Sequence, residues 1–180
     1  KKGAVMTVKG ATFDRNIADN SGGAIYNTGA LTVENSDFSG NKSISGNGEG
    51  GAIYNLGDVK IAKAEFEDNK ASVYGGAISN RATMTIQDAK FEENISYGYY
   101  GGAIYNTGTI VFGSNSNVEF LNNSSAWAGA VHNTGRMSFL GSVTFENNIV
   151  EDAYSRGGAV ATGSVGTKDE NGNILEYGMT

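Results

Sequence analysis

Apolar residues in this chain recur as alternating pairs, and the pairs return at long, nearly constant intervals. Leu31 and Val33, Val59 and Ile61, Met84 and Ile86, Ile110 and Phe112, and Met137 and Phe139 each put two apolar side chains on one side of an extended segment. The residues between them vary freely: Thr32, Lys60, Thr85, Val111 and Ser138. This i, i+2 spacing is the strand period, and no stretch shows the 3.6-residue period of a helix. An asparagine (Asn27, Asn55, Asn80, Asn106, Asn133) stands four residues before each pair. A phenylalanine closes each unit at Phe38, Phe66, Phe91, Phe120 and Phe145, with extra residues inserted before the last two.

Two phrases carry this pattern in alternation. Gly22-Gly23-Ala24-Ile25-Tyr26-Asn27 returns in modified form from Gly50, Gly75, Gly101, Ala128 and Gly157, and Phe-x-x-Asn begins at Phe13, Phe38, Phe66, Phe91, Phe120 and Phe145. The alanines Ala24, Ala52, Ala77, Ala103, Ala130 and Ala159 are 25 to 29 residues apart. A fixed period of this size is the signature of a solenoid. Each period predicts three β-segments, namely Gly-Gly-Ala-Ile-x-Asn, the apolar pair, and x-Phe-x-x-Asn. The stretch from the second asparagine to the next glycines varies in length and is expected to be an external loop. The fold expected is all-β, a single-stranded parallel β-helix of about six coils, right-handed by the general rule for parallel crossovers.

Column by column, the residue after Gly-Gly-Ala is Ile25, Ile53, Ile78, Ile104, Val131 and Val160, so it is expected inside. The next is Tyr26, Tyr54, Ser79, Tyr105, His132 and Ala161, a mixture that reads as solvent-facing. Asn27, Asn55, Asn80, Asn106 and Asn133, and Phe38, Phe66, Phe91, Phe120 and Phe145, are expected to stack as structural ladders, each amide bonding along the axis. One coil buries about four apolar side chains at roughly 1.5–3 kcal/mol each. It must order some 25 residues at about 1–2 kcal/mol apiece, so neighbouring coils have to supply the rest.

Residues 1–180 read as one β-helix unit, with residues 164–178 as a hairpin or loop inserted at a coil corner, its turn at Asp169-Glu170-Asn171-Gly172-Asn173. Met6-Thr7-Val8 matches Met84-Thr85-Ile86, and Met179-Thr180 looks like the start of the same strand. The expectation is a segment of a longer protein, stacked on adjoining coils of its parent chain.

Gly-Gly-Ala-Ile paired with Phe-x-x-Asn resembles the repeat pair of the chlamydial-type polymorphic outer-membrane proteins, across roughly Met6 to Ala161. Ala128-Gly129-Ala130 and Gly157-Gly158-Ala159-Val160-Ala161-Thr162 depart from the strict phrase. The resemblance implies an autotransporter passenger: a β-helix exported with a signal peptide and a C-terminal barrel, displayed at the bacterial outer membrane and acting as an adhesin. Its implied partner is a host or neighbouring-cell surface glycan or protein.

Composition narrows the alternatives. A formal charge of -6 gives no basic footprint for nucleic acid, and no apolar run is long enough to span a membrane. Without cysteine there is no disulfide framework or thiolate metal site, and no cofactor is expected. The single histidine, His132, has no evident carboxylate or nucleophile beside it, as a general base would need.

Two constellations remain. Glu67, Asp68, Glu92 and Glu93 follow Phe66 and Phe91 in neighbouring coils, and stacked together they make a weak calcium candidate. They would also be the acid and base of an alternative reading, a polysaccharide hydrolase or lyase. The residue before each glycine pair reads Ser21, Glu49, Tyr74, Tyr100, Trp127 and Arg156. Tyr74, Tyr100 and Trp127, widened by Tyr97 and Tyr99, would form an aromatic strip at the loop edge suited to glycan or protein recognition. The reading favoured is a non-enzymatic surface adhesin binding through this edge; a plain structural stalk is the third possibility.

Overall fold

The computed structural model describes residues 3–151, 157–163, 167–168 and 174–176. Its described residues are all strand, turn and loop, wound as a β-solenoid of about six turns. Three parallel sheets run along the axis, each coil contributing to all three. The expected hairpin falls mostly outside the described residues, including its turn; Thr167–Lys168 and Ile174–Glu176 pair antiparallel.

The first sheet stacks the Gly-Gly-Ala strands: Ile25–Asn27, Ile53–Asn55, Ile78–Asn80, Ile104–Asn106, Val131–Asn133 and Val160–Thr162. The second holds ten-residue strands, Ala30–Ser39, Asp58–Glu67 and Thr83–Glu92, in register so that Leu31, Val59 and Met84 align, as do Phe38, Phe66 and Phe91. Here the second and third expected segments are one strand. Asn35, Lys63 and Asp88 take positive φ at its middle, and pairing skips these residues, so the strand bends without leaving the sheet. In the next two coils the extra residues fall at this bend and split the strand into Thr109–Phe112 with Asn117–Leu121, and Arg136–Phe139 with Ser142–Glu146.

The third sheet corrects the sequence reading. It is built from two-residue strands placed directly after the second asparagine, Ile17–Ala18, Lys42–Ser43, Lys70–Ala71, Ile95–Ser96, Ser124–Ser125 and Ile149–Val150. The start of the expected external loop is therefore a third wall. Its residues show no apolar alternation because two residues present one inward side chain only, and in five of the six strands that side chain is small: Ala18, Ser43, Ala71, Ser96 and Ser125, followed by Val150. The glycine corner of the same coil packs close against the backbone of this short strand. A Cβ built on Gly76 would lie 2.6 Å from the Ile95 amide nitrogen and 2.0 Å from the Gly102 carbonyl of the next coil. Gly51 and Gly102 meet the same two obstacles, so backbone rests on backbone along this edge.

Inside, the phenylalanine column runs Phe13, Phe38, Phe66, Phe91, Phe120 and Phe145 with ring centroids 4.7–4.9 Å apart and planes within 8°. That separation is the strand spacing itself. Two amide ladders flank the core. Asn27, Asn55, Asn80 and Asn106 each donate from Nδ2 to the Oδ1 of the next asparagine, ending at Asn133, over 2.6–2.8 Å. The second ladder runs Asn16, Asn41, Asn69, Asn94, Asn123 and Asn148. Asn94 shows why asparagine is needed. Its Oδ1 accepts from the Asn69 backbone N–H (3.1 Å) and Nδ2 (3.0 Å), while its own Nδ2 donates to Phe66 O and Asn123 Oδ1 (both 2.9 Å). All four hydrogen-bonding positions of a fully buried amide are used.

Asn94→Asp should therefore place an acceptor against the Phe66 carbonyl and Asn123 Oδ1. Burial raises the pKa of the new carboxyl, so the variant is least destabilised at acid pH and loses stability as pH rises through that folded-state pKa. Urea unfolding should show a loss of about 3–5 kcal/mol at neutral pH, shrinking at pH 4. A loss independent of pH would show that the ladder amide is not needed as a donor.

Candidate recognition surface

The residues before the glycines are held in line by backbone pairing: Ser21 bridges Glu49, Glu49 bridges Tyr74, and Tyr74 bridges Tyr100. The first glycine of each pair then turns the chain at positive φ (Gly75, 62°; Gly101, 69°), a conformation glycine adopts without a Cβ clash. The rings of Tyr74 and Tyr100 stack at 5.6 Å and 7°, and Trp127 meets Tyr100 edge-on at 5.3 Å. Tyr74, Tyr100 and Trp127 are thus brought together.

Their packing goes further than the sequence reading foresaw. Tyr74 lies 4.6 Å from the Tyr105 ring, and Tyr100 lies 4.3 Å from His132. The pre-glycine rings fold back over the outer face of the Gly-Gly-Ala sheet and roof it, burying apolar ring area that would otherwise face water. The outward column is consequently not solvent-facing along its whole length. Tyr26 is 57% exposed, whereas Ser79, Tyr105 and His132 are buried. Where the pre-glycine residue is Glu49, a carboxylate does the roofing: it accepts from Ser79 Oγ (2.8 Å) and from Arg81 Nε and Nη2 (2.9 and 2.6 Å). The Arg81 guanidinium lies between the Tyr54 and Tyr105 rings, 6.0 and 5.8 Å from their centroids. Burial pushes both phenols above their ordinary range. Glu49 comes from the coil before that of Ser79 and Arg81, so no sequence spacing joins the three and only the fold-back does.

Tyr97 and Tyr99 behave differently. They stand 67% and 56% exposed, with Tyr99 leaning on Tyr100 at 6.0 Å. The five aromatic residues therefore divide into a half-buried roof (Tyr74, Tyr100, Trp127) and a projecting ridge (Tyr97, Tyr99).

The carboxylate strip is less concentrated than its sequence suggested. Glu67 and Glu92 are register neighbours, but Leu121 separates Glu92 from Glu146. Glu92 pairs with Lys90 (2.6 Å) and Asp68 with Lys70 (2.8 Å), while Asp68 and Glu93 occupy the positive-φ position before the asparagine ladder. Among the described residues no three acidic or histidine side chains converge as metal ligands, so Glu67, Asp68, Glu92 and Glu93 do not assemble the calcium cage that stacking columns suggested.

The structure thus defines a β-solenoid whose interior repeats itself and whose loop edge carries aromatic and charged side chains. Residues 10–28, 35–56 and 63–81 match the family model of the Chlamydia polymorphic membrane protein repeat, so this part of the chain is similar to that repeat. The comparisons with curated proteins and with solved structures gave no match.

His132 is neutral in this setting. Both ring nitrogens are buried without a hydrogen-bond partner, and desolvation lowers its pKa to about 4. The unfolded chain takes up the proton near its ordinary value of 6.5. Stability should accordingly fall as pH drops from about 6.5 to about 4, by up to about 3 kcal/mol. His132→Phe should flatten that part of the profile, seen as a smaller change in urea midpoint between pH 7.5 and 4.5. Identical profiles for the two proteins would mean that the imidazole protonates in place.

Proposed function

We propose that this chain is part of a surface-displayed passenger, of the autotransporter type that its repeats suggest, and that it serves adhesion to a host or neighbouring-cell glycan or protein. The observation that carries the reading is the ridge of Tyr97 and Tyr99. Two large aromatic side chains project from a loop where the core does not require them, while the three other aromatic residues of the strip are engaged in covering the sheet. Exposed tyrosines of this kind offer broad contact area with a polar tip and little conformational entropy to lose. No helix among the described residues is long and apolar enough to cross a membrane, and the passenger reading asks for none here.

The pairing of Glu92 with Lys90 and of Asp68 with Lys70 does not favour the alternative polysaccharide-cleaving reading. Two tests bear on the adhesion reading. Protease shaving of intact source cells should release peptides of this chain, which places it outside the cell. Beads coated with the 180-residue chain should attach to cells, and the double substitution Tyr97→Ala with Tyr99→Ala should reduce attachment severalfold while the β-sheet circular dichroism stays unchanged. Equal attachment with the fold intact would assign the ridge no part in adhesion.

A further inference from the structure

The short sheet carries an uncompensated positive charge in a chain that is acidic overall. Its outward column reads Ile17, Lys42, Lys70, Ile95, Ser124 and Ile149, with Lys42 directly opposite Lys70 in register. Like charges on opposed strand positions repel, so each ammonium needs a counter-charge. Lys70 has one. Asp68, two residues earlier at φ 52°, brings Oδ1 to 2.8 Å from Nζ. Two residues before Lys42 the same backbone position is Gly40, at φ 62°, and it has no side chain to offer. Instead the Arg15 side chain of the preceding coil passes over this glycine, its Cγ lying 3.1 Å from where a Cβ would be. Arg15 is itself paired with Asp14 (3.2 Å). Lys42 is left partly buried between Ile17 and Lys70 in register and, among the described residues, with no carboxylate of its own.

Beside it opens a groove of about 370 Å³ lined by Lys42, Ser43, Ile44, Lys70, Ser72 and Tyr97. Tyr97 and Ile44 are largely exposed, so the groove has an apolar platform next to its charged floor. Ser72 donates its hydroxyl hydrogen to the Ser43 carbonyl (3.0 Å), which leaves its oxygen able to accept. A peptide could not add here as a strand, because Lys42–Ser43 is already paired on both sides, with Ile17–Ala18 and with Lys70–Ala71.

We propose that this groove binds an acidic oligosaccharide. Lys42 pairs with a carboxylate or sulfate on one sugar, and the Tyr97 ring stacks on the C–H face of a neighbouring pyranose. A pyranose also joins an apolar face to a charged edge, the combination that this groove offers. The proposal rests on the adhesion reading above and names its ligand class.

Isothermal titration of the full chain against three probes tests it: a galacturonic acid tetrasaccharide, a heparin-derived tetrasaccharide, and the neutral chitotetraose. Binding of one or both acidic probes is expected, weakening with added salt, and at least about tenfold tighter than chitotetraose. The acidic probe that binds better identifies carboxylate or sulfate as the preferred group. Lys42→Gln and Tyr97→Ala should each weaken binding about tenfold, and Lys42→Arg should retain it, with circular dichroism unchanged throughout. Failure of both acidic probes to bind overturns the proposal, as does an acidic peptide or oligonucleotide that binds as tightly. If Lys42→Gln has no effect while Tyr97→Ala abolishes binding, the charge assignment falls and the aromatic ridge stands. If both acidic probes bind but neither Tyr97→Ala nor Tyr99→Ala changes anything, the ridge itself is wrong.

Discussion

Every residue of a coil lies one strand spacing from its counterpart in the next, so the solenoid admits inside it only groups that can be stacked on themselves. A phenyl ring can: the six rings from Phe13 to Phe145 repeat at 4.7–4.9 Å in nearly parallel planes. A carboxamide can as well, because it carries both donors and acceptors, and Asn94 uses all of them. A charge cannot, since its copy in the next coil repels it. The inward columns are therefore uniform, whereas charged outward columns are interrupted, as where Lys90 stands between Glu65 and Glu119.

The glycine corner is the same constraint applied to backbone. Where the short strand and the Gly-Gly-Ala strand meet, the second glycine of one coil rests against the carbonyl of the next at a distance that no Cβ could share, at Gly23, Gly51, Gly76, Gly102 and Gly129. The first glycine answers a conformational need as well, since at its positive φ a Cβ would meet the carbonyl three residues on, and there the phrase tolerates a change of conformation. Ala128 takes that place without positive φ, and Ser125 Oγ both donates to the Ala128 carbonyl and accepts from its N–H.

Much of this was legible in the chain itself, because self-stacking leaves identical letters at fixed intervals. The isoleucine, phenylalanine and asparagine columns, the parallel solenoid and the number of coils follow from that recurrence. The third sheet was not legible. Its strands contribute one inward residue each, and small ones such as Ala18, Ser43 and Ala71 leave no periodicity to detect. The roof over Tyr105 and His132 was hidden for another reason. A column that mixes Tyr26, Ser79 and His132 looks permissive, yet its buried sites are matched to different pre-glycine residues of neighbouring coils, Glu49 to Ser79 and Tyr100 to His132. Sequence shows that a column varies; only the fold shows what compensates for the variation.

That distinction bears on where recognition can reside. Positions fixed by self-stacking are not free to suit a ligand, and variable positions engaged in covering a neighbour are only partly free. Trp127 and Tyr100 touch one another, and Tyr74 rests on Tyr105, so part of their ring surface is committed within the chain. Tyr97, Tyr99 and Lys42 fall in neither group: the tyrosines project, and the lysine lacks the acidic residue that its equivalent in the next coil has. They lie on or beside the short sheet, where strands are two residues long and the loops that follow differ in length from coil to coil. The scaffold thus confines its freedom to one edge, and that edge holds the side chains that the fold leaves unexplained.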